Sequence, residues 1–261
     1  MPELMVERLD AVCTLALDRP ARLNALTASL HAELRAALDE AARDEAVAVI
    51  VLTGRGRAFS SGQDLTESLP HDENGVVDLG QALQRDYNPL IRRIMASPKP
   101  VIAALNGPAV GAAMNIALAC DIVLAARSAS LQQAFARIGL IPDAGGTWLL
   151  PRLVGAKRAL ALMLTADPIT ATEAERLGLV YRVFEDESFA ADVAAFAAKL
   201  AKGPGLAMRL TREAVLASAG NDLEAQLALE AALQTRAGAS DDFAEGIAAF
   251  LDKRPPRFQG H

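Results

Sequence analysis

The apolar positions change their period several times along the first half of the chain. Leu4–Leu9 and Val12–Leu17 are two short apolar runs parted by Asp10-Ala11, the pattern of two strands joined by a turn. From Thr27 to about Arg43 the period becomes helical, with Leu30, Leu34 and Leu38 on one face and Thr27 as N-cap. Val47–Leu52 (VAVIVL) is an unbroken β-branched run, as expected of a strand buried on both faces. It ends at the loop material Thr53-Gly54-Arg55-Gly56. A polar, mobile stretch is expected from Glu67 to Asp78, then a helix from Leu79 to Met95. Val101–Leu105 is a second buried strand, broken by Asn106-Gly107-Pro108. Gly111–Cys120 reads as a short apolar helix and Ile122–Ala125 as a third buried strand. From Phe135 onward the pattern is mainly helical, with segments starting near Gly146, Ala156, Thr170, Phe189, Gly205, Asp222 and Asp241. This alternation predicts α/β architecture with a largely parallel sheet. The expected organisation is a core over residues 1–200 and a helical region over 201–261, with no short repeat and no low-complexity linker.

At 261 residues the chain can bury a substantial core. Its net charge of −6 and the lack of a basic run argue against a nucleic-acid partner. No uncharged apolar run reaches the length of a membrane span, and the N-terminus does not read as a signal peptide. Cys13 and Cys120 sit in apolar stretches without a CxxC, which points to buried thiols, no metal site and a reducing, cytoplasmic location.

Candidate chemistry gathers in three segments. Residues 53–65 and 106–115 are glycine-containing loops that follow buried strands, where ligands of parallel sheets collect. The second loop runs into a helix, whose unpaired N–H groups can hold an anion or a developing oxyanion. Gly111, Ala112 and Ala113 are small enough for a ligand to approach the backbone. Neither loop matches a phosphate-cradling motif, and taken singly each is better read as a tight turn, but two such loops after buried strands point to a site. The third segment, Ile138 to Trp148, places Asp143 among apolar residues before a glycine pair. Such a carboxylate is either a helix cap or an acid–base group with a raised pKa, and the residues weigh the two equally. His31, His71 and His261 are not placed for a nucleophile–histidine pair, and Ser61 lacks a GxSxG elbow. Asp121 is expected to pair with backbone under the sheet, and Met114, Phe135 and Trp148 to pack.

At these segments the sequence resembles the enoyl-CoA hydratase/isomerase (crotonase) family. Arg19-Pro20-Ala21-Arg22-Leu23-Asn24-Ala25-Leu26 is similar to its RPxxxNAL signature, and Ala58 to Leu65 to its AFxAGxDL loop. Asn106-Gly107 through Gly111 to Cys120-Asp121 is similar to NGxxxGGGxxLAxxCD, and Ile141 to Thr147 to IPxxGGT. Glu245-Gly246 to Arg254 resembles EGxxAFxxKR. The resemblance implies a spiral of β–β–α units with a C-terminal helical region, assembled as trimers or hexamers. It implies an acyl-CoA thioester as substrate, with no separate cofactor, and an oxyanion hole from the backbone N–H groups of Ser61 and Ala112. Coenzyme A is then expected along Arg22, Leu23, Ala25, Ser60, Gln63, Asp64 and Leu65. Phe250 and Lys253, from a neighbouring subunit, are expected at its adenine and 3′-phosphate. Gly111, Asn115, Phe135 and Leu140 are expected around the acyl group, with Phe135, Ile138 and Leu140 excluding water.

The sequence departs from the family's hydratases at both catalytic glutamates. Asn115 stands at the Glu of GGGxE and Phe135 at the Glu of FGxPE. Asp143 is the remaining carboxylate, and residues 140–152 look most like the ring-epoxide (1,2-epoxyphenylacetyl-CoA) isomerase subgroup. The expectation is therefore an acyl-CoA isomerase. A 2-enoyl-CoA hydratase and a non-catalytic CoA- or RNA-binding homologue are the alternatives.

Overall fold

A computed structural model describes residues 2–67, 70–71 and 73–260. The N-terminal strands β1 (Leu4–Leu9) and β2 (Val12–Leu17) pair antiparallel around the predicted turn, where Asp10 adopts φ +51°. Helix α1 (Ala28–Arg43) follows, and Thr27 caps it by accepting from the Leu30 N–H at 3.0 Å. Leu30, Leu34 and Leu38 face the core as expected. Strand β3 (Val49–Gly54) begins two residues later than the apolar run and continues to the glycine. Of the stretch expected to be polar and mobile, residues 68, 69 and 72 lie outside the described residues.

The next helix is continuous but not uniform. Helix α2 (Leu79–Ala82) passes through a π-helical turn (Leu83–Tyr87) into α3 (Asn88–Ala96). Strand β4 (Val101–Leu105), the short β5 (Ala109–Val110), helix α4 (Ala112–Ala119) and strand β6 (Ile122–Ala126) then alternate. Strand β7 (Ser130–Gln132), a 3₁₀ turn (Ala134–Ile138), α5 (Gly146–Val154) and α6 (Ala156–Thr165) lead to β8 (Ile169–Thr170). After α7 (Ala171–Arg176), β9 (Arg182–Phe184) and α8 (Phe189–Ala201), the chain ends in α9 (Gly205–Ser218), α10 (Leu223–Gly238) and α11 (Asp241–Leu251).

The main sheet has the order β1-β2-β3-β4-β6-β9 and is parallel from β2 onward. Ile50, Leu52, Ile102 and Leu105 on its central strands are fully buried, each contributing about 1.5–3 kcal/mol of hydrophobic stabilisation. The second sheet, β5-β7-β8, comes from strands of two or three residues, too short to give a sequence signal. Asp121 ties the layers together. Its carboxylate accepts from the Val101 N–H at 2.8 Å and from Arg212 of α9 at 2.7 Å.

Cys13 and Cys120 are buried and unpaired. Among the described residues no helix is long and apolar enough to cross a membrane, and no cluster of His, Cys, Asp and Glu could hold a metal ion. On α10 only Leu233 is buried, while Leu223 and Leu227 lie open to solvent.

Candidate active site

The loops after β3 and β4 are joined side by side. Ser60 N–H donates to Pro108 O at 3.1 Å and Val110 N–H to Ser60 O at 3.0 Å. A Cβ on Gly62, whose φ is +86°, would stand 2.8 Å from the Val110 carbonyl oxygen and 3.9 Å from the Ala112 nitrogen. Only glycine lets the first loop lie this close to the start of α4.

A third loop braces these two. Leu23 and Asn24 both adopt positive φ, +51° and +55°, a conformation that costs roughly 1–3 kcal/mol at a non-glycine residue and persists where its surroundings enforce it. The enforcement is visible. Buried Asn24 donates to the Arg55 and Ala58 carbonyls at 2.9 and 2.8 Å and accepts from the Arg19 N–H. Arg19 pairs with Glu3 at 2.8 Å and with Asp64 at 2.9 Å.

From Ser60 to Asp64 every backbone donor but that of Gln63 is consumed internally. Ser61 N–H, expected as an oxyanion donor, instead donates to Leu23 O at 2.9 Å. Its role is to fasten the Leu23 loop, and the expectation for Ser61 is corrected accordingly. Gly62 N–H donates to Ser60 Oγ at 3.2 Å and Asp64 N–H to Leu26 O at 2.9 Å. Gln63 N–H is left without an acceptor among the described residues, because the parallel bridge to Leu26 uses only its neighbours. Ala112 N–H, in the first turn of α4, is likewise open. Gln63 and Ala112 thus each offer an open donor where the two loops meet.

Other expected contacts are also redistributed. The Asp64 carboxylate does not face a ligand. It accepts from Thr66 N–H and Oγ at 3.1 and 2.6 Å and pairs with Arg19, and these bonds, Thr66 first, hold its pKa down at about 2. Asn115 is fully buried with both ends of its amide engaged, so it is not a substrate contact. It accepts from Gln133 at 2.6 Å and donates to the Asp143 carbonyl at 2.9 Å. A Cβ on Gly146 would come within 2.3 Å of the Asn115 amide nitrogen, so the glycine makes room for this bridge. Phe135 is buried beside Gly111, whereas Ile138 and Leu140 are exposed and exclude no water in the single chain. Arg22 and Leu65 are exposed, Leu23 is half-buried, and Ala25 and Ser60 are buried. Phe250 and Lys253 are exposed on and just beyond α11, with Lys253 at φ +53°.

Asp143 resolves the choice that its sequence left open. Helix α5 is capped by Gly145 with no side-chain cap, so the carboxyl is not spent on a helix terminus. The Asp143 backbone carbonyl accepts from Gly146 N–H and Asn115, while its Oδ1 is buried with no hydrogen-bond partner among the described residues. Desolvation pushes its pKa up from 3.8 to about 7, opposed only by its own backbone N–H. The next residue, Ala144, is held at φ +47°. A carboxyl poised near neutrality, on a loop tied through Asn115 to the helix that bears the open Ala112 N–H, suits proton transfer beside a stabilised oxyanion.

Two residues next to this arrangement had no sequence signal pointing to the site. Buried Tyr87, at the end of the π turn, donates to Gln63 Oε1. His31 belongs to the core: it is 1% exposed, both ring nitrogens lack hydrogen-bond partners among the described residues, and it meets the Tyr87 ring edge-on at 4.2 Å. Burial lowers its pKa to about 4. Gln133, two residues before Phe135, was also unforeseen.

Comparison with known proteins agrees with this architecture. A family model described as Enoyl-CoA hydratase/isomerase matches residues 7–261. The chain is 51% identical over 251 residues to a probable enoyl-CoA hydratase of Rhodobacter capsulatus, covering 96% of this chain and 95% of that one. It is 43% identical over the full length of both chains to 1,2-epoxyphenylacetyl-CoA isomerase of Escherichia coli. Among solved structures, enoyl-CoA hydratase of Bacillus anthracis superposes with a TM-score of 0.92 at 33% identity, covering 99% of this chain and 100% of that one.

Proposed function

The chain belongs to the enoyl-CoA hydratase/isomerase family, and from that premise we propose that it is an acyl-CoA isomerase in which Asp143 carries a proton from one carbon of the acyl group to another. Its substrates are unsaturated acyl-CoA esters or, following the name of the 43% identical relative, 1,2-epoxyphenylacetyl-CoA. The carrying observation is Asp143 itself, whose buried Oδ1 has no hydrogen-bond partner among the described residues. The thioester carbonyl accepts from the N–H groups of Gln63 and Ala112, each worth about 3 kcal/mol to the enolate-like transition state. On an unsaturated ester, Asp143 removes the proton on the carbon next to the carbonyl, electrons move into the held oxygen, and the same carboxyl returns a proton two carbons away as the double bond shifts into conjugation. Atoms and charge balance without water.

Addition of water asks for more, since hydratases of this family place two glutamates around it. Asn115 and Phe135 stand there instead, one spent on internal bonds and the other apolar. The second reading, a 2-enoyl-CoA hydratase, draws on the name of the 51% identical relative. Coenzyme A is proposed to run along Arg22, Leu23 and Ala25, with Phe250 and Lys253 supplied by a neighbouring subunit. The exposed leucines of α10 and aromatic residues of α11 suit such self-association. Asp143→Asn tests the assignment. We expect kcat to fall by about 1,000-fold or more while CoA-ester binding stays within about threefold, as for loss of an acid–base group with its positioning partners intact. A variant that retains wild-type turnover overturns it.

A further inference from the structure

The contact between Tyr87 and Gln63 has no part in the proton transfer just described, yet it grips the residue that bears an open N–H. We propose that Tyr87 is a positioning residue that fixes the oxyanion-binding peptide of Gln63 through the Gln63 side chain. The proposal rests on the reading in which that N–H polarises the thioester carbonyl.

The geometry on both sides of the contact points this way. Gln63 does not extend into solvent. Its side chain folds back, with Nε2 3.4 Å from the Asp64 carbonyl and Oε1 accepting from the Tyr87 hydroxyl. Ser61, Gly62 and Asp64 are each held through their own N–H groups, but Gln63 cannot be, because its N–H must stay free for a ligand. It also follows Gly62, which offers little backbone stiffness. The side chain therefore supplies the restraint that the backbone cannot.

Tyr87 is itself set firmly. It is 3% exposed and closes the π-helical turn, an irregularity often found beside functional sites. Behind it lies the His31 ring, which packs against the phenol and offers no hydrogen bond to its hydroxyl. One turn further along the same helix face, Ile91 lies 3.7 Å from where a Gly145 Cβ would be. A single helix thus registers the Gln63 loop and the Asp143 loop against each other.

Tyr87→Phe removes one oxygen from this arrangement, and Gln63→Met removes the acceptor while keeping the backbone N–H. The decisive readout is the red shift in absorbance of an aryl-acryloyl-CoA thioester on binding, which reports carbonyl polarisation without turnover. We expect either variant to lose at least about half of that shift and about 10- to 100-fold in kcat, within the loss of one oxyanion donor. KM and the dissociation constant should stay within about threefold, and the double variant should be no worse than the poorer single one. An undiminished shift in Tyr87→Phe, or losses that add in the double variant, overturns the proposal. A shift that collapses in Tyr87→Phe of an enzyme that isomerises no acyl-CoA supports the positioning role and overturns the isomerase reading instead. Absence of any shift in the wild type overturns both.

Discussion

Replacing Asp143 by Asn should make the protein more stable at alkaline pH, although it removes the group proposed to do the chemistry. In the folded chain burial holds the carboxyl proton up to a pKa of about 7, against an ordinary value of 3.8. Between those values folding takes up a proton, so stability falls as pH rises through this window and is level above it. A shift of this size corresponds to about 4 kcal/mol for a fully enclosed carboxyl. Asp143 is only partly enclosed, which reduces the figure to about 2 kcal/mol. Asn has the same shape and no charge to desolvate, so the variant escapes the loss. Thermal midpoints of both proteins should be close at pH 5, with the variant ahead at pH 8 by about 1–2 kcal/mol. For a chain of this size that is roughly 2–4 °C for each kcal/mol. A gap that is the same at both pH values, or that favours the wild type at pH 8, refutes the claim that the Asp143 carboxyl is buried at a cost.

His31 should produce the opposite slope. Its pKa is lowered from 6.5 to about 4 by burial, partly offset by Asp86 and reinforced by Arg35 and Arg85, so the folded state resists taking up a proton that the unfolded chain accepts. Stability should fall by up to about 3 kcal/mol as pH drops from 6.5 towards 4, and denaturant titrations of His31→Leu should lack that component. Gly146→Ala places a Cβ 2.3 Å from the Asn115 amide and should lower kcat through displacement of the Asp143 loop, with loss of about 1–3 kcal/mol in stability, read by kinetics and thermal unfolding together. Lys253→Ala should weaken binding of a CoA ester more than binding of its 3′-dephospho form, and titration calorimetry with both ligands checks this.

Most of the fold could be read from the chain because its strands and helices carry strong periodicities. The starts of α5, α6, α8, α9 and α11 fall on the glycine, alanine, phenylalanine and aspartate positions that the sequence marks. Strands of two or three residues, such as β5 and β8, are too short to show alternation. The site was legible by segment but not by atom. Nothing in the residues from Ser60 to Asp64 tells which N–H remains open, since that depends on Leu23, Leu26 and Ser60 accepting from the others. Asn115 and Asp64 are polar residues in the right loops, yet tertiary partners claim their side chains. His31 lies in a helix with many polar positions, and only the packing of Tyr87 explains its burial. Asp143 was visible as a carboxyl among apolar residues, and its freedom from capping emerged only with the conformation of Ala144 and Gly145.

The central claim is that one carboxyl moves a proton within the acyl group and that water is not added. Product analysis of the wild-type enzyme, supplied separately with a 3-enoyl-CoA and with crotonyl-CoA, tests it most directly. The account predicts conversion of the 3-enoyl ester to the conjugated 2-enoyl ester, with 3-hydroxyacyl-CoA formed at least about 100-fold more slowly from either substrate, because Asn115 and Phe135 stand where hydratases hold water with glutamates. Rapid formation of 3-hydroxybutyryl-CoA from crotonyl-CoA, with no migration of the double bond in the 3-enoyl ester, would contradict it.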